Sequence, residues 1–178
     1  MKKVLFLSTV VAALFATEYM PGIPGNVPDK TVSVGVEKVK IIDSGLKSAT
    51  ALTVKCEKQN GRFLSLKESV GAETAYGKMD YEDSNGNLSY LRFATFIKLT
   101  KDFKLPTGEA GIFGGLKAKT LFVGGLNHVG IGASAIGGAE YRLGNFGLSL
   151  YGEVGKDYLR GGYFKTETGL GADVSYSF

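Results

Sequence analysis

The last segment of the chain, Tyr163–Phe178, alternates between two kinds of side chain with a period of two. Its even positions are apolar or weakly polar, whereas its odd positions from Lys165 to Ser177 are charged, small or polar. This period predicts a β-strand, because successive side chains of a strand point to opposite faces. Most strands run about 5–6 residues, whereas a tilted strand that crosses a membrane needs about 9–11. The segment therefore predicts a long strand with one face toward lipid and the other toward a polar interior.

Strand-like patterns recur through the rest of the chain and are separated by turn-forming residues. Seven further strands are predicted, at Thr31–Ile42, Thr50–Lys58, Arg62–Tyr76, Leu88–Leu99, Glu109–Lys117, Val129–Leu143 and Phe146–Gly155. An even number of strands returns the C-terminus to the side from which the N-terminus entered. We therefore predict an all-β fold, an eight-stranded antiparallel up-and-down transmembrane β-barrel.

Turn signals predict how these strands are connected. Two tight hairpin turns are predicted, at Asn60-Gly61 and at Gly144-Asn145. A short connection over Thr100–Gly108 is predicted at the same end of the barrel. At the opposite end, Gly77–Asn87 and Ala118–His128 are predicted to be longer loops. Short turns at one end and longer loops at the other are typical of membrane barrels.

Two positions interrupt the predicted alternation. In the first strand the phase slips at Val39, which indicates either a β-bulge or emergence from the membrane. In the third strand Glu68 falls on the otherwise apolar face, which indicates a local bulge.

The N-terminus has the pattern of a secretory signal peptide. Two lysines follow Met1, and an apolar stretch of about a dozen residues leads to a small residue, Ala16. We predict a cleaved signal peptide over residues 1–16, an extended periplasmic leader over residues 17–30 and the barrel over residues 31–178. The predicted location is therefore the bacterial outer membrane.

The polar faces of the predicted strands carry nearly equal numbers of acids and bases. Eight cations and eight anions are assigned inward, and ten of them are predicted to form a charge network in the lumen: Glu57, Lys67, Arg92, Lys98, Glu140, Arg142, Glu153, Lys165, Glu167 and Asp173. The other six are Lys55, Lys117, Lys119, Glu37, Glu73 and Glu109. Eight strands enclose a space only wide enough for side chains, and buried charges persist only when they are paired. A closed lumen is therefore expected.

Composition narrows the possible functions. The net charge is +4, but lysines and arginines are scattered singly among acids, which argues against nucleic acid as a partner. The 26 glycines suit the tight curvature of a small barrel. Cys56 is the sole cysteine, so neither an intrachain disulfide nor a cysteine-based metal site is expected. No cofactor and no metal site are predicted.

The pattern and the ending of the chain resemble those of small eight-stranded outer-membrane proteins. Tyr176-x-Phe178 looks like the C-terminal signature of these barrels, and residues 138–143 (GAEYRL) look like their common penultimate-hairpin sequence. The nearest groups are the OmpA-type membrane domain and the opacity-protein-like barrels. The resemblance implies that Tyr176 and Phe178 form an assembly signal recognised by the barrel-assembly machinery. It also implies outer-membrane lipid and lipopolysaccharide as surroundings.

Three functions are consistent with such a barrel, because function resides in sites carried by the fold. The first is a non-enzymatic protein that supports envelope integrity or surface contact, with an unspecified surface ligand. The second is a narrow passive channel. The third is a lipid A-modifying enzyme that uses His128 and Ser134, but six residues along a strand separate these by about 20 Å, too far for a hydrogen bond. We therefore expect no enzymatic activity.

Overall fold

A computed structural model describes residues 30–42, 46–81, 87–125, 128–159 and 163–178. The predicted signal peptide and all but the last residue of the predicted leader lie outside these ranges. Within the described ranges no helix is long and apolar enough to cross a membrane.

The described chain is built from eight β-strands that close into a barrel. They are β1 (Lys30–Ile41), β2 (Leu46–Phe63), β3 (Leu66–Tyr81), β4 (Asn87–Leu105), β5 (Gly108–Val123), β6 (His128–Leu143), β7 (Phe146–Leu159) and β8 (Tyr163–Ser177). Each strand pairs antiparallel with the next in the sequence, and β8 closes the barrel against β1. The predicted all-β, eight-stranded antiparallel barrel is confirmed.

The end of the barrel that carries both termini of the sheet also carries three tight turns. They lie at Leu64–Ser65, Pro106–Thr107 and Gly144–Asn145. The turn predicted at Gly144-Asn145 is confirmed, and Gly144 has the positive φ of 59° that such a turn requires. We call this end the turn end, and the opposite end the loop end.

The turn predicted at Asn60-Gly61 is wrong. Both residues lie within β2, where the register shifts between Gln59 and Gly61, so the sequence signal marks a β-bulge. The chain reverses at Leu64 and Ser65, whose φ values are 49° and 67°. Two consecutive positive φ values are what a two-residue hairpin needs to match the twist of its strands.

The long connection predicted at Ala118–His128 is also wrong. The strand β5 continues to Val123, and β6 already begins at His128. Leu121 and Val123 are buried inside the barrel while the intervening Phe122 is partly exposed on the outside, so apolar residues occupy both faces. A stretch with two apolar faces loses the alternation that identifies a strand. The strand predicted to end at Gly155 also continues further, to Leu159.

The bulge suggested in β1 is absent from the structure. The pairing of β1 with β2 and with β8 runs without a register shift. Val39 and Ile41 point into the barrel, with 0% and 1% of their surfaces exposed, while Lys38 and Lys40 are exposed on the outside. The alternation of inward and outward side chains therefore continues along β1. What changes is that its inward residues become apolar and its outward residues become lysines. The irregularity suggested at Glu68 lies instead on the partner strand, at the β2 bulge.

The interior contains an apolar cluster at the loop end. Its members come from β1 to β5: Val39, Ile41, Ala49, Ala51, Ala75, Met79, Tyr90, Leu121 and Val123, with Leu88 packed against them. This cluster was not predicted, because the alternation indicated a polar inward face on every strand. It closes this part of the interior next to the charged groups described below.

Candidate functional site

The centre of the barrel is organised around Arg92, which has no exposed surface. It lies on β4, and its guanidinium holds both carboxylate oxygens of Glu37, with Nη2···Oε2 at 2.6 Å and Nη1···Oε1 at 3.0 Å. The same guanidinium donates from Nε and Nη2 to Oε1 of Glu73. Two further carboxylates approach Nη1, at 3.4 Å for Glu167 and 3.8 Å for Glu153. Four acids from four different strands therefore converge on one arginine.

Two lysines of β5 extend this network. Lys117 and Lys119 are two residues apart, so both point into the barrel. The ammonium of Lys117 lies 2.6 Å from Glu153 and 3.0 Å from Glu73. The ammonium of Lys119 lies 2.6 Å from Glu167, 3.1 Å from Glu153 and 3.2 Å from Asp157. These contacts tie β5 to strands on the opposite wall.

Tyr151 connects the network to a second group of residues nearer the turn end. Its hydroxyl donates to Oε2 of Glu37 at 3.0 Å, and the ammonium of Lys55 lies 3.6 Å from the centre of its ring. Lys55 in turn pairs with Asp173 at 2.6 Å. Gly171 provides the space for the ring, because a Cβ at that position would lie 2.3 Å from Cζ of Tyr151.

Smaller ion-pair clusters occupy the turn end. Lys98 contacts Glu57 at 2.8 Å and Glu140 at 3.3 Å, and Arg142 contacts Glu140 at 2.5 Å. A cavity of about 50 Å³ lies among these residues and reaches Lys55 and Tyr151. This volume is enough for a few water molecules. The described turn end is therefore polar, unlike the apolar cluster at the loop end.

The predicted lumen residues fall into several positions. Arg92, Glu153, Glu167 and Asp173 belong to the central network, whereas Glu57, Lys98, Glu140 and Arg142 form the turn-end cluster. Lys67 pairs with Asp102 at 2.6 Å and lies 3.8 Å from Glu109. Lys165 is partly buried on β8, near the loop end.

Besides the apolar cluster, sequence reasoning missed three residues that contact the interior charges. Asp157 is fully buried on β7, but it lies beyond Gly155, where the predicted strand ended too early. Asp102 was missed for the same reason on β4. Tyr151 occupies an inward position in a strand for which only charged residues had been considered. Strand length would have identified Asp102 and Asp157, since extending the alternation by a few residues places both inside.

The central network contains more acids than bases. Its carboxylates are Glu37, Glu73, Glu153, Asp157, Glu167 and Asp173, and its cations are Lys55, Arg92, Lys117 and Lys119. Three buried carboxylate oxygens, two of Asp157 and one of Glu167, make no hydrogen bond with described residues. Oxygens of Glu37, Glu153 and Glu167 lie within 4.8 Å of one another. Arg92 and Lys119 already contact this trio, so it is organised as ion pairs, and we assign no metal to it.

Of the two residues considered for catalysis, Ser134 alone has its side chain in the described part of the structure. Ser134 is buried, and its hydroxyl donates to Oε1 of Glu153 at 2.6 Å. It therefore belongs to the interior network. His128 is the first residue of β6, and its side chain lies outside the described part of the structure.

The aromatic residues at the C-terminus form a contact group at the turn end. The ring of Tyr176 lies 5.2 Å from that of Phe146 and 6.4 Å from that of Phe178. The backbone of Phe178 exchanges hydrogen bonds with that of Lys30, at 2.9 and 3.3 Å. The last strand and its aromatics thus lie at the seam that closes the barrel. A role for Tyr176 and Phe178 as an assembly signal remains a prediction.

Comparisons with known proteins identify the fold. No family model matches the chain, and no curated protein matches it. Among solved structures, Neisserial surface protein A (NspA) matches with a TM-score of 0.57 and 15% sequence identity, covering 84% of this chain and 97% of NspA. The outer membrane enzyme PagL gives a TM-score of 0.49 and 12% identity, covering 80% of this chain and 97% of PagL. The resemblance to small eight-stranded outer-membrane barrels is confirmed at the level of the fold.

Proposed function

We propose that this chain is a non-enzymatic integral protein of the bacterial outer membrane that supports envelope integrity or surface contact. The observation that carries this proposal is the outer surface of the barrel. Large apolar side chains are exposed on every strand, including Val36, Leu52, Tyr76, Ile97, Leu116, Ile131, Leu150 and Leu170. A water-soluble monomer rarely exposes such a continuous apolar surface, whereas a membrane barrel needs one.

The ends of this surface support the same placement. Tyr141, Phe146, Tyr176 and Phe178 are exposed at the turn end, where aromatic residues would form an interfacial girdle. The predicted signal peptide would deliver the chain across the inner membrane, and the barrel-assembly machinery would insert it through its C-terminal strand. The turn end would face the periplasm and the loop end the outside.

The contents of the lumen support a closed barrel. Arg92 and the ion pairs around it join opposite walls at the centre, and the apolar cluster fills the loop end of β1 to β5. An ion crossing the barrel would have to displace buried, paired charges, and this is costly. We therefore place passive transport second.

Three experiments test the proposal. The first is fractionation of cells that express the full chain: the proposal expects the processed protein in the outer membrane, and recovery in the soluble or inner-membrane fraction would refute it. The second is planar-bilayer recording of the purified barrel, for which we expect no sustained conductance. Steady, well-defined single-channel steps would make the channel the first hypothesis. Chemical change in purified lipopolysaccharide that is lost on His128→Ala would instead identify the lipid A-modifying enzyme.

A further inference from the structure

Four lysines of the described part of the chain are exposed on the outer face of the barrel near the loop end. They are Lys38 and Lys40 on β1, Lys78 on β3 and Lys156 on β7. None of them forms an ion pair with a described residue, whereas most of the described interior cations do. Among the described residues of this half of the outer face, Asp80 is the single acid. The surface therefore carries four cations against one described acid, and that acid, Asp80, lies two residues from Lys78 on the same face of β3.

The strand register brings three of these lysines close together. Lys38 pairs with Thr50, and Thr50 pairs with Lys78, so the three lie in one row across β1, β2 and β3. Neighbouring strands lie about 4.8 Å apart, so the Cα atoms of Lys38 and Lys78 are roughly 10 Å apart, with Lys40 about 7 Å along β1. The flexible side chains of all three can reach one anionic group. The exposed hydroxyl of Thr50 lies between them as a further donor.

The heights of the lysines distinguish them from an ordinary polar rim. A row of paired residues that starts at Thr31 passes round the barrel and returns to β1 at Ile41. Such a row rises by roughly 3 Å per strand toward the loop end. This stagger puts Lys40, Lys78 and Lys156 at about one height.

At that height the opposite wall is still apolar. The corresponding outward residues on β4, β5 and β6 are Leu91, Phe122 and Ile131, and Ile131 has 62% of its surface exposed. Immediately below the lysines lie Leu52 and Leu170, both exposed. One side of the barrel thus presents cations at a level where the other side presents a hydrocarbon surface. Lysines at the margin of a membrane extend their ammonium groups toward the interface, and a cluster of them attracts anionic lipid headgroups there.

We propose that Lys38, Lys40 and Lys78, flanked by Lys156, bind the phosphate groups of a phosphorylated lipid in the outer leaflet. This inference rests on the proposed outer-membrane location and deepens it by naming the partner of one surface. A phosphorylated lipid matches both parts of the surface, because its phosphates would meet the ammonium groups while its acyl chains cover the exposed leucines below. A free anion would satisfy the lysines alone.

The test uses the full barrel, purified in zwitterionic micelles and titrated with bisphosphorylated lipid A, with its dephosphorylated form or with inorganic phosphate. Bound lipid is counted by native mass spectrometry. The variant Lys38→Gln/Lys40→Gln/Lys78→Gln removes the three charges. A matched control, Arg62→Gln/Lys101→Gln/Lys104→Gln, removes three charges at the turn end. Heat-modifiable gel mobility verifies that both variants are folded.

We expect the parent to bind the phosphorylated lipid at least tenfold more tightly than the dephosphorylated form. The loop-end variant should lose at least tenfold in affinity, while the control stays within twofold of the parent. Added salt should weaken binding, because exposed charges are screened. Equal binding of the two lipids, an unchanged loop-end variant, or displacement of the lipid by inorganic phosphate at comparable concentration would each overturn the proposal. Such results would leave the outer-membrane location standing, since fractionation tests that separately.

Discussion

Replacing Arg92 by methionine should destabilise the barrel more than any other removal of an interior charge. Methionine keeps most of the side-chain volume, so the change isolates the lost guanidinium. After the change, Glu73 retains Lys117 at 3.0 Å and Glu167 retains Lys119 at 2.6 Å. Glu37 loses its single ion-pair partner among the described residues and keeps the hydroxyl of Tyr151 at 3.0 Å. Breaking a fully buried pair in this way costs about 3–5 kcal/mol.

A double variant shows how much of that cost comes from the charge that Glu37 is left with. If the penalty comes mainly from the uncompensated charge of Glu37, adding Glu37→Gln to Arg92→Met should restore about 1–3 kcal/mol. Arg142→Met provides a control, because Arg142 also pairs with a glutamate but has a partly exposed side chain. Its loss should cost about 0–1 kcal/mol. The free energy of unfolding would be measured for all four proteins by reversible urea denaturation in the same micelles.

The reasoning fails if Arg92→Met is no less stable than Arg142→Met. It also fails if the double variant is less stable than Arg92→Met alone, because Glu37 would then be stabilised without its cation. In either case the ion pairs around Arg92 would not be what holds the interior together.

Three further predictions test the outer face, the interior packing and the C-terminus. Leu170→Arg should lower the free energy of unfolding in urea by about 2–4 kcal/mol, because an arginine that faces lipid is most costly near the middle of the membrane. Leu143→Arg, near the turn end, should lower it by about 0–1 kcal/mol. Equal costs would refute the placement of Leu170 in the middle of the lipid-facing surface. Gly171→Ala should cost about 1–3 kcal/mol by displacing the ring of Tyr151, and a neutral effect would show that the ring moves freely. Deleting Phe178 should reduce the amount of protein assembled in the outer membrane. The reduction should be larger than a loss of roughly 1.5–3 kcal/mol of stability, the contribution of one buried aromatic, can explain. Normal assembly would refute the role of Phe178 as an assembly signal.

The fold could be predicted from the sequence because one periodicity repeats through most of the chain. In β8 every inward position is polar or small and every outward position between Thr166 and Phe178 is apolar or threonine, so the alternation has a single interpretation. The structure agrees, with Leu170 72% exposed and Glu167 fully buried. The number of strands, their antiparallel direction and the closure of the barrel then follow from the count of such segments. Strand ends were predicted less well, because a tight-turn dipeptide such as Asn60-Gly61 also suits a bulge.

The charged residues of the interior could be predicted from the alternate positions that face inward, but the pairing between these charges could not. Parity places Arg92 and Glu153 inside, yet which carboxylates meet Arg92 depends on the stagger of the closed barrel. That stagger brings Glu37 of β1 and Glu167 of β8 to the same arginine. It is a property of all eight registers together, and no single segment of the sequence reveals it.

The loop end shows why the alternation of apolar and polar residues does not by itself identify which face of a strand is inside. Along β1 the inward residues change from Glu37 to Val39 and Ile41, while the outward residues change from Val36 to Lys38 and Lys40. Both faces exchange chemistry at the same point, and the sequence pattern then looks identical to a one-residue slip in phase. The structure separates the two explanations because the pairing of β1 continues unbroken on both sides. The exchange places cations outside and apolar residues inside, so one short segment of β1 contributes both Val39 and Ile41 to the apolar cluster and Lys38 and Lys40 to the lysine surface.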